Sequence, residues 1–201
     1  MNAGSPPPIV DDAAQILEFW FGAPDTPGFG ADRPEWWRKD PAFDAAIRER
    51  FGAAIERALR GELDSWATHT ESALAQILLL DQFTRNAFRD TPRAFAGDAR
   101  ALDAARAMVG RQQDLALPPF QRRFVYRPFE HAEGSAVQVE SVRLFARLAE
   151  SDPAQAEALD YAERHQAIVD RFGRFPHRNA ILGRRSTAEE IEFLKQPGSS
   201  F

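Results

Sequence analysis

The sequence predicts an all-α fold of seven to eight helices. Capping residues followed by apolar residues at three- and four-residue spacing recur along the chain, which is typical of amphipathic helices. The alternation of apolar and polar residues that marks half-buried strands does not recur. The connections between the predicted helices are mostly short, so neighbouring helices run in opposite directions. We therefore expect antiparallel αα-hairpins, stacked as a bundle or as a short solenoid.

The first two predicted helices each have a start and a stop signal. Asp11 or Asp12 is expected to cap the first helix, and Gly22 to end it. Asp40, which precedes a proline, is expected to cap the second helix, which ends at Gly61. The apolar residues of the second helix recur every four positions and form one stripe: Phe43, Ile47, Phe51, Ile55 and Leu59.

Three further helices are predicted in the middle of the chain. The third runs from about residue 71 to residue 83 or beyond, with a leucine-rich core face. The fourth begins at Asp98 and is closed by Gly110. A proline pair at 118–119 starts a shorter fifth helix, because proline is favoured in the first turn.

The last three predicted helices are marked by their caps. Ser135 with Gln138 has the spacing of a capping box for the sixth helix. Asp152, again followed by proline, is expected to cap a long seventh helix. Thr187 with Glu190 has the capping-box spacing for a short final helix.

Length and composition indicate one domain over residues 1–201, with flexible ends at 1–10 and 196–201. The chain is 44% hydrophobic and 27% charged, as in ordinary folded domains. Its net charge of -5 argues against nucleic-acid binding, which requires a basic face to displace counterions from phosphates.

Cysteine usage and hydropathy narrow the class of protein further. The chain contains no cysteine, which excludes disulfides, thiolate metal sites and a cysteine nucleophile. The first residues lack the basic and apolar regions of a signal peptide, and no apolar run approaches the about 20 residues of a membrane helix. We therefore expect a cytoplasmic protein with no membrane partner.

The segment 172–187 reverses the acidic character of the chain, because it contains no acidic residue. It follows the seventh helix and carries a cluster of basic and amide side chains: Arg174, His177, Arg178, Asn179 and Arg184. Planar guanidiniums bind carboxylates and phosphates bidentately, and a neighbouring histidine can donate or carry a proton. One interpretation is an anion-binding corner. The alternative is a loop whose arginines cap helix ends and pair with acids elsewhere.

A shorter segment, 81–89, repeats part of this pattern, since Arg-Asn-Ala occurs in both. Asp81, Arg85 and Arg89 are spaced by four residues, and Asn86 lies in the adjoining row. Unlike charges at this spacing stabilise a helix by a few tenths of a kcal/mol, which favours a structural network. The alternative is a polar stripe that lines a ligand-binding groove.

A third polar cluster holds Glu130, His131 and Glu133 at the turn before the sixth helix. None of the four histidines follows a glutamate by three residues, and the HExxH motif is absent. We therefore predict no metal site. His165 lies on the apolar stripe of the seventh helix and is expected to be a hydrogen-bonded core residue.

Motifs for nucleotide binding and serine hydrolysis are missing from the sequence. It has no glycine-rich dinucleotide fingerprint, no phosphate-binding loop and no nucleophile elbow. We therefore predict no cofactor. Whether the chain is an enzyme stays open, because a site can be built from arginine, histidine and carboxylates alone.

Four long motifs in order resemble the bacterial domain of unknown function 924. They are ILEFWFG at 16–22, LLLDQFTRNAFRDTPRAFAGD at 78–98, RRFVYRPFEHAE at 122–133, and FGRFPHRNAILGRRSTAEEIEFL at 172–194. The resemblance covers nearly the whole chain. It implies a tetratricopeptide-like helical fold, and it supplies neither an activity nor catalytic residues.

Three functional interpretations follow from these observations. In the first, the chain is a binding module whose groove, lined by segments 81–89 and 174–185, takes an acidic peptide or a small anion. In the second, the motifs are only structural, and a partner binds an apolar surface in the loop 23–37, which contains Phe29, Trp36 and Trp37.

In the third, the chain is an enzyme acting on a small anionic substrate. The acid/base group would be His177 or His131. The orienting carboxylate would be Glu130 or Glu133, and Arg85 with Arg178 would clamp the substrate. Geometry separates the interpretations, because an enzyme needs these groups in one enclosed pocket, whereas a binding module spreads them along an open groove.

Overall fold

A computed structural model describes residues 9–200 of the chain, with the backbone alone for 9–12. Within this part all regular structure is helical and no strand occurs, which confirms the predicted fold class. The helices are α1 (Ile9–Phe21), α2 (Pro41–Leu59), α3 (Thr70–Leu78), α4 (Thr84–Ala87), α5 (Asp98–Gly110), α6 (Pro119–Glu130), α7 (Ser135–Ser151), α8 (Ala156–Phe172) and α9 (Ala188–Phe193).

Several of the predicted caps are formed. Asp40 Oδ1 accepts hydrogen bonds from the backbone N–H groups of Ala42 at 3.0 Å and Phe43 at 3.1 Å. Thr187 and Glu190 form the predicted capping box at the start of α9. These side chains satisfy amide groups that a helix N-terminus leaves without partners, so the local sequence alone determines where both helices begin.

The predicted cap of α1 is wrong. The helix begins at Ile9, so Asp11 and Asp12 lie inside its first turns instead of preceding them. The predicted end at Gly22 is correct, and this glycine has a positive φ of 88°.

The predicted capping box of α7 is also wrong. The N-cap of α7 is Gly134, and no side chain caps it. Gln138 is fully buried, and its Nε2 donates to the carbonyl oxygens of Glu130 at 2.8 Å and Ala132 at 2.7 Å. These carbonyls end α6 and have no partner within that helix. Gln138 therefore donates hydrogen bonds to the carbonyl groups at the end of α6 and does not cap α7.

The core is built from successive helices packed side by side. Helix α7 packs along both α6 and α8, while α1 packs on α3. A cluster of aromatic rings centres on the fully buried Trp20, whose ring lies 5.4 Å from that of Phe83 and 5.6 Å from that of Phe124. The cluster joins α1 to the middle of the chain and to α6.

A widened turn connects α3 to α4 and positions part of the site. The segment Leu79–Phe83 is a π-helix, so the helical path continues from Thr70 to Ala87. The start of α5 packs directly on this turn, because a Cβ atom at Gly97 would collide with the carbonyl oxygen of Leu80. Only glycine allows this approach, which places the first residue of α5 beside α4.

The expected flexible end 1–10 falls largely outside the described residues, whereas the end 196–201 is described except for its last residue. Residues 1–8 and 201 lie outside the described residues. Near the other end, Ser199 is buried and its hydroxyl donates to the carbonyl oxygen of Leu194 at 3.2 Å. No helix in residues 9–200 has the length and apolar character needed to cross a lipid bilayer.

Candidate functional site

A cavity of about 770 Å³ lies between the α3–α4 segment, α6, α8 and the loop that follows α8. We call it the arginine cavity, because basic side chains outnumber carboxylates in its lining. The lining contains Arg38, Lys39, Arg85, Arg89, Arg123, Arg127 and Arg178, with His131, His165 and His177, and with Trp36, Trp37, Phe95 and Tyr161.

The two Arg-Asn-Ala segments meet at one wall of this cavity. Arg85 Nη2 lies 2.8 Å from Asp98 Oδ1, and Arg178 Nη1 lies 3.2 Å from Asp98 Oδ2. Both guanidiniums also stack over Phe95, with their Cζ atoms 5.3 Å and 4.9 Å from the ring centroid. A single carboxylate therefore holds both arginines, and the sequence predicted neither Asp98 nor Phe95 as part of the site.

Arg178 has more hydrogen-bond donors than partners. Its side chain is only 5% exposed, and the bond to Asp98 is the single hydrogen bond that it makes with described residues. Its buried Nε has no partner among them. Burial and the neighbouring Arg85 lower the pKa of Arg178 to about 10. A buried cation in this state favours an incoming anion, which would supply both acceptors and negative charge.

His131 is held by a buried carboxylate at the same wall. Its Nδ1 lies 2.7 Å from Oδ1 of Asp81, which is fully buried on the π-helical turn and also accepts from Gln82 Nε2 at 2.5 Å. Burial alone would raise the pKa of Asp81. His131 and Arg85 lower it by more than that, so the pKa of Asp81 lies well below its usual range.

Burial and Arg85 lower the pKa of His131 to about 3, so this histidine is neutral at pH 7. The 2.7 Å contact is then a hydrogen bond in which Nδ1–H donates to Asp81. That bond fixes the tautomer and leaves Nε2 as an acceptor. Asp81 is thus the carboxylate bonded to His131, whereas Glu130 and Glu133, suggested by the sequence as orienting carboxylates, bind Arg127 and Arg184.

Glu130 does not line the cavity, but it contacts two residues that do, Arg127 and His165. It is fully buried, and both of its carboxylate oxygens accept from Arg127 Nη1 at 2.9 Å. His165 Nδ1 lies 3.1 Å from Glu130 Oε1 and 2.8 Å from the carbonyl oxygen of Tyr161. Burial raises the pKa of Glu130, whereas burial and His131 lower the pKa of His165. The prediction that His165 is a hydrogen-bonded buried residue is confirmed.

One face of α6 supplies an arginine pair that the sequence analysis missed. Arg123, Arg127 and His131 follow each other at intervals of four residues, so they share one face of the helix. Arg123 Nη1 donates to Asp32 Oδ1 at 2.7 Å. The Cζ atoms of Arg123 and Arg127 lie 4.5 Å and 5.0 Å from the Trp37 ring centroid. The spacing of four was visible in the sequence and could have identified this stripe.

Asn86 and Arg89, both predicted, line the cavity but are held by Asp44 of α2. Asn86 Nδ2 donates to Asp44 Oδ1 at 2.9 Å, and Arg89 Nε donates to Asp44 Oδ2 at 2.8 Å. Burial raises the pKa of Asp44, but the hydrogen bond from Arg89 lowers it, and the net shift is downward. These bonds fasten α4 to α2, as the structural interpretation of segment 81–89 proposes.

Three of the predicted binding residues lie outside the cavity lining and hold the loop after α8. Arg174 binds both carboxylate oxygens of Glu190, at 2.6 Å and 2.8 Å. Arg184 binds both carboxylate oxygens of Glu133, at 2.6 Å and 2.9 Å, and its Nε donates to Asn179 Oδ1 at 3.0 Å. Because these groups are bonded to one another, they support the predicted alternative of a structural loop.

His177 is the remaining predicted residue, and it lines the cavity beside Arg178. Burial and the charge of Arg178 lower its pKa to about 4. Among the described residues, no three histidine or carboxylate side chains are grouped so that they could hold a metal ion. Beside Arg178, the polar side chains that line the cavity are guanidiniums and imidazoles.

Comparisons with known proteins match the chain over nearly its whole length. The bacterial proteins of unknown function DUF924 match residues 16–198. The solved structure of the protein of unknown function ATU0120 from Agrobacterium tumefaciens is similar at 41% sequence identity and a TM-score of 0.82, covering 94% of this chain and 99% of that chain. None of the curated proteins compared with the chain matches it. The chain is thus a member of the bacterial protein family of unknown function DUF924.

Proposed function

We propose that the arginine cavity binds a small organic anion, whose charged group lies between Arg85 and Arg178. The observation that carries this proposal is the state of Arg178, a cavity-lining guanidinium that is 5% exposed and makes one hydrogen bond with described residues. A carboxylate or phosphate beside it would accept from the donors that Asp98 leaves free.

The burial of the arginines favours a small molecule over an extended acidic peptide. Arg123, Arg127 and Arg178 are 8%, 7% and 5% exposed, so an acceptor must enter the cavity to reach them. The volume of about 770 Å³ lies within the about 300–1,000 Å³ typical of small-molecule sites. Inorganic phosphate would fill only a small part of it, which favours an organic anion.

The pairing of Asp81 with His131 favours a catalytic function as a second candidate. We infer that His131 Nε2 acts as a general base on the bound anion, in the role that an aspartate-oriented histidine has in other enzymes. Abstraction of a proton from the carbon beside a carbonyl fits the site best. The base would take the proton, while Arg85 and Arg178 would stabilise the negative charge that develops on the substrate oxygen.

Binding is tested by calorimetric titration with phosphate, benzoate and 2-oxoglutarate. The wild type is compared with Arg178→Gln and with Arg143→Gln, which removes an exposed guanidinium of α7 outside the cavity. We expect at least one probe to bind the wild type and the control equally, and Arg178→Gln about tenfold more weakly or worse. Failure of all probes to bind the wild type, or equal affinity in Arg178→Gln, would reject the proposal.

Catalysis is tested separately, with any probe that binds and carries an exchangeable proton beside a carbonyl. The protein and probe are incubated in deuterated water, and proton NMR follows loss of the signal from that carbon. We expect exchange with the wild type and none with His131→Asn, although both should bind the probe. Absence of exchange in the wild type would leave binding as the function.

Two finer predictions from the sequence belong to this proposal, the tetratricopeptide-like stacking of the helical hairpins and the cytoplasmic location. The sequence left open whether the ligand is an acidic peptide or a small anion, and the proposal takes the small anion. The packing of α7 along both α6 and α8 supports the predicted stacking.

A further inference from the structure

The arginine cavity contains a second pair of buried arginines on the wall formed by α6. Arg123 and Arg127 both line it, both are more than nine-tenths buried, and the buried Nε of each lacks a hydrogen-bond partner among the described residues. Burial and the charge of Arg127 lower the pKa of Arg123. Two buried guanidiniums against one aromatic ring favour an anion that accepts hydrogen bonds from both.

The anion that already neutralises Arg123 is weakly held. Its carboxylate partner, Asp32, has a side chain that is 61% exposed. An exposed carboxylate gains little from such a pair, because water screens its charge and its side chain loses entropy when it is held. Arg127, in contrast, is bonded to the fully buried Glu130. An anionic ligand group could therefore replace Asp32 on Arg123 at little cost, while Arg127 stays anchored.

Trp37 keeps this pair in place. Its ring faces both guanidiniums, with centroid distances of 4.5 Å and 5.0 Å, and it stacks on Phe124 at 6.3 Å. Cation–π contacts hold each guanidinium against the ring without using its N–H groups. The N–H groups that Asp32 and Glu130 do not use therefore stay available to a ligand, and the indole forms an apolar wall beside them.

The pair Arg123–Arg127 and the pair Arg85–Arg178 are separated along the cavity. Arg123 and His131 are eight residues apart on α6, which corresponds to about 12 Å along the helix axis. His131 is bonded to Asp81, which also contacts Arg85. The Arg85–Arg178 clamp thus lies at the His131 end of the stripe, and the Arg123–Trp37 pair lies at the other end.

We propose, on the basis of the anion-binding function above, that the natural ligand is an organic dianion. One anionic group binds Arg85 and Arg178, and the second binds Arg123 and Arg127 against Trp37. The part between the two groups lies along the aromatic and histidine side chains of the lining. This assigns Arg123 as the residue that distinguishes dianions from monoanions of the same length.

Matched monocarboxylates and dicarboxylates test this assignment. Hexanoate is compared with adipate, and octanoate with suberate, by calorimetric titration of the wild type and Arg123→Gln. We expect at least one dicarboxylate to bind the wild type about tenfold more tightly than its monocarboxylate. Arg123→Gln should lose this advantage and keep the affinity for the monocarboxylate. Arg143→Gln is the control for loss of one positive charge.

The outcomes separate this inference from the proposal on which it rests. Equal affinity of every matched pair in the wild type would overturn the second subsite while anion binding at Arg178 stands. An advantage that persists in Arg123→Gln would overturn the role of Arg123. Failure of all four probes, while phosphate, benzoate or 2-oxoglutarate binds, would overturn this inference and leave the proposed function standing. Failure of those three as well would overturn both proposals. If Arg123→Gln unfolds, Trp37→Leu replaces it, because loss of the stacking ring should reduce the same advantage.

Discussion

Arg85 and Arg178 lie far apart in the sequence, and they bind opposite oxygens of Asp98, at 2.8 Å and 3.2 Å. They also share the ring of Phe95. The like charges of the two guanidiniums repel each other. Burial raises the pKa of Asp98, although the positive charges of both arginines act to lower it. The arrangement is held together by the surrounding fold, and it brings two guanidiniums together at one end of the arginine cavity.

The first prediction concerns the carboxylate that joins these two arginines. Asp98→Asn removes the carboxylate that the two guanidiniums share and leaves the buried Arg178 without its hydrogen-bonded counter-charge, which should lower the free energy of unfolding by about 2–4 kcal/mol. Urea denaturation measures this loss. Phosphate or benzoate should restore part of the lost stability, because an anion at Arg178 replaces the missing charge.

Asp103→Asn is the matched control, since Asp103 is exposed on the same helix as Asp98. Its stability should change by less than about 0.5 kcal/mol. Equal stability of Asp98→Asn and the control would contradict the interpretation of Asp98 as the link between the two segments.

The sequence predicted most of the fold because the signals of its helices are local. Caps such as Asp40 and Thr187, and apolar residues at helical spacing, determine the helices within a few residues of themselves. The two wrong caps show the limit of this reasoning. Gln138 could not be assigned correctly, because its partners are carbonyls of the preceding helix, and that contact depends on how the two helices pack.

The candidate site was predicted only in part, for a related reason. Arg85, His131, His177 and Arg178 were singled out from their local pattern, and all four line the cavity. Asp98, which joins two of them, belongs to another helix and looked only like a helix start. Carboxylates distant in sequence determine which arginines face the cavity and which bind the loop. No local pattern contains that information.

The second prediction tests the close contact between α5 and the π-helical turn. Gly97→Ala would place a Cβ atom against the carbonyl oxygen of Leu80, so the backbone must move. We expect a loss of about 3 kcal/mol or more in the free energy of unfolding, because neither backbone segment can yield easily. Thermal and urea unfolding measure it. Gly110→Ala has no atom within 4 Å of its new Cβ, and it should gain up to about 1 kcal/mol.

The third prediction separates the structural arginines from those of the cavity. Arg184→Gln breaks a bidentate pair with Glu133 and should cost about 2 kcal/mol of stability. It should leave the affinity for benzoate or phosphate unchanged, because Arg184 does not line the cavity. Arg178→Gln should weaken binding of the same probes about tenfold or more, in addition to its cost in stability. Weaker binding in Arg184→Gln than in Arg178→Gln would place the anion site in the loop instead.

The fourth prediction is a loss of stability in mild acid. The folded protein holds the pKa of His131 at about 3 and that of His177 at about 4, whereas an unfolded histidine has a pKa of about 6.5. Between these values the unfolded chain binds more protons than the folded one, so stability falls as the pH falls. The slope approaches about 1.4 kcal/mol per pH unit for each histidine.

Urea denaturation at pH 7, 6 and 5 measures this slope. His177→Gln should reduce it, because one group that takes up a proton on unfolding is gone. The exposed His69→Gln is the control and should keep the wild-type slope. A stability that stays constant from pH 7 to pH 5 would contradict the burial of neutral histidines.

The last prediction connects anion binding to the charge on His131. Burial and the positive charge of Arg85 keep the pKa of this histidine near 3 in the free protein. An anion bound between Arg85 and Arg178 adds negative charge beside the imidazole, which raises its pKa toward the working pH. Binding must then be accompanied by proton uptake, and the affinity must increase as the pH falls. This shift is also what a general base requires, since a base is most effective when its pKa is close to the ambient pH.

Calorimetric titration of the best-binding probe in two buffers of different ionisation enthalpy measures the uptake directly. His131→Asn should bind the probe with less proton uptake than the wild type, and equal uptake in the two proteins would show that another group titrates.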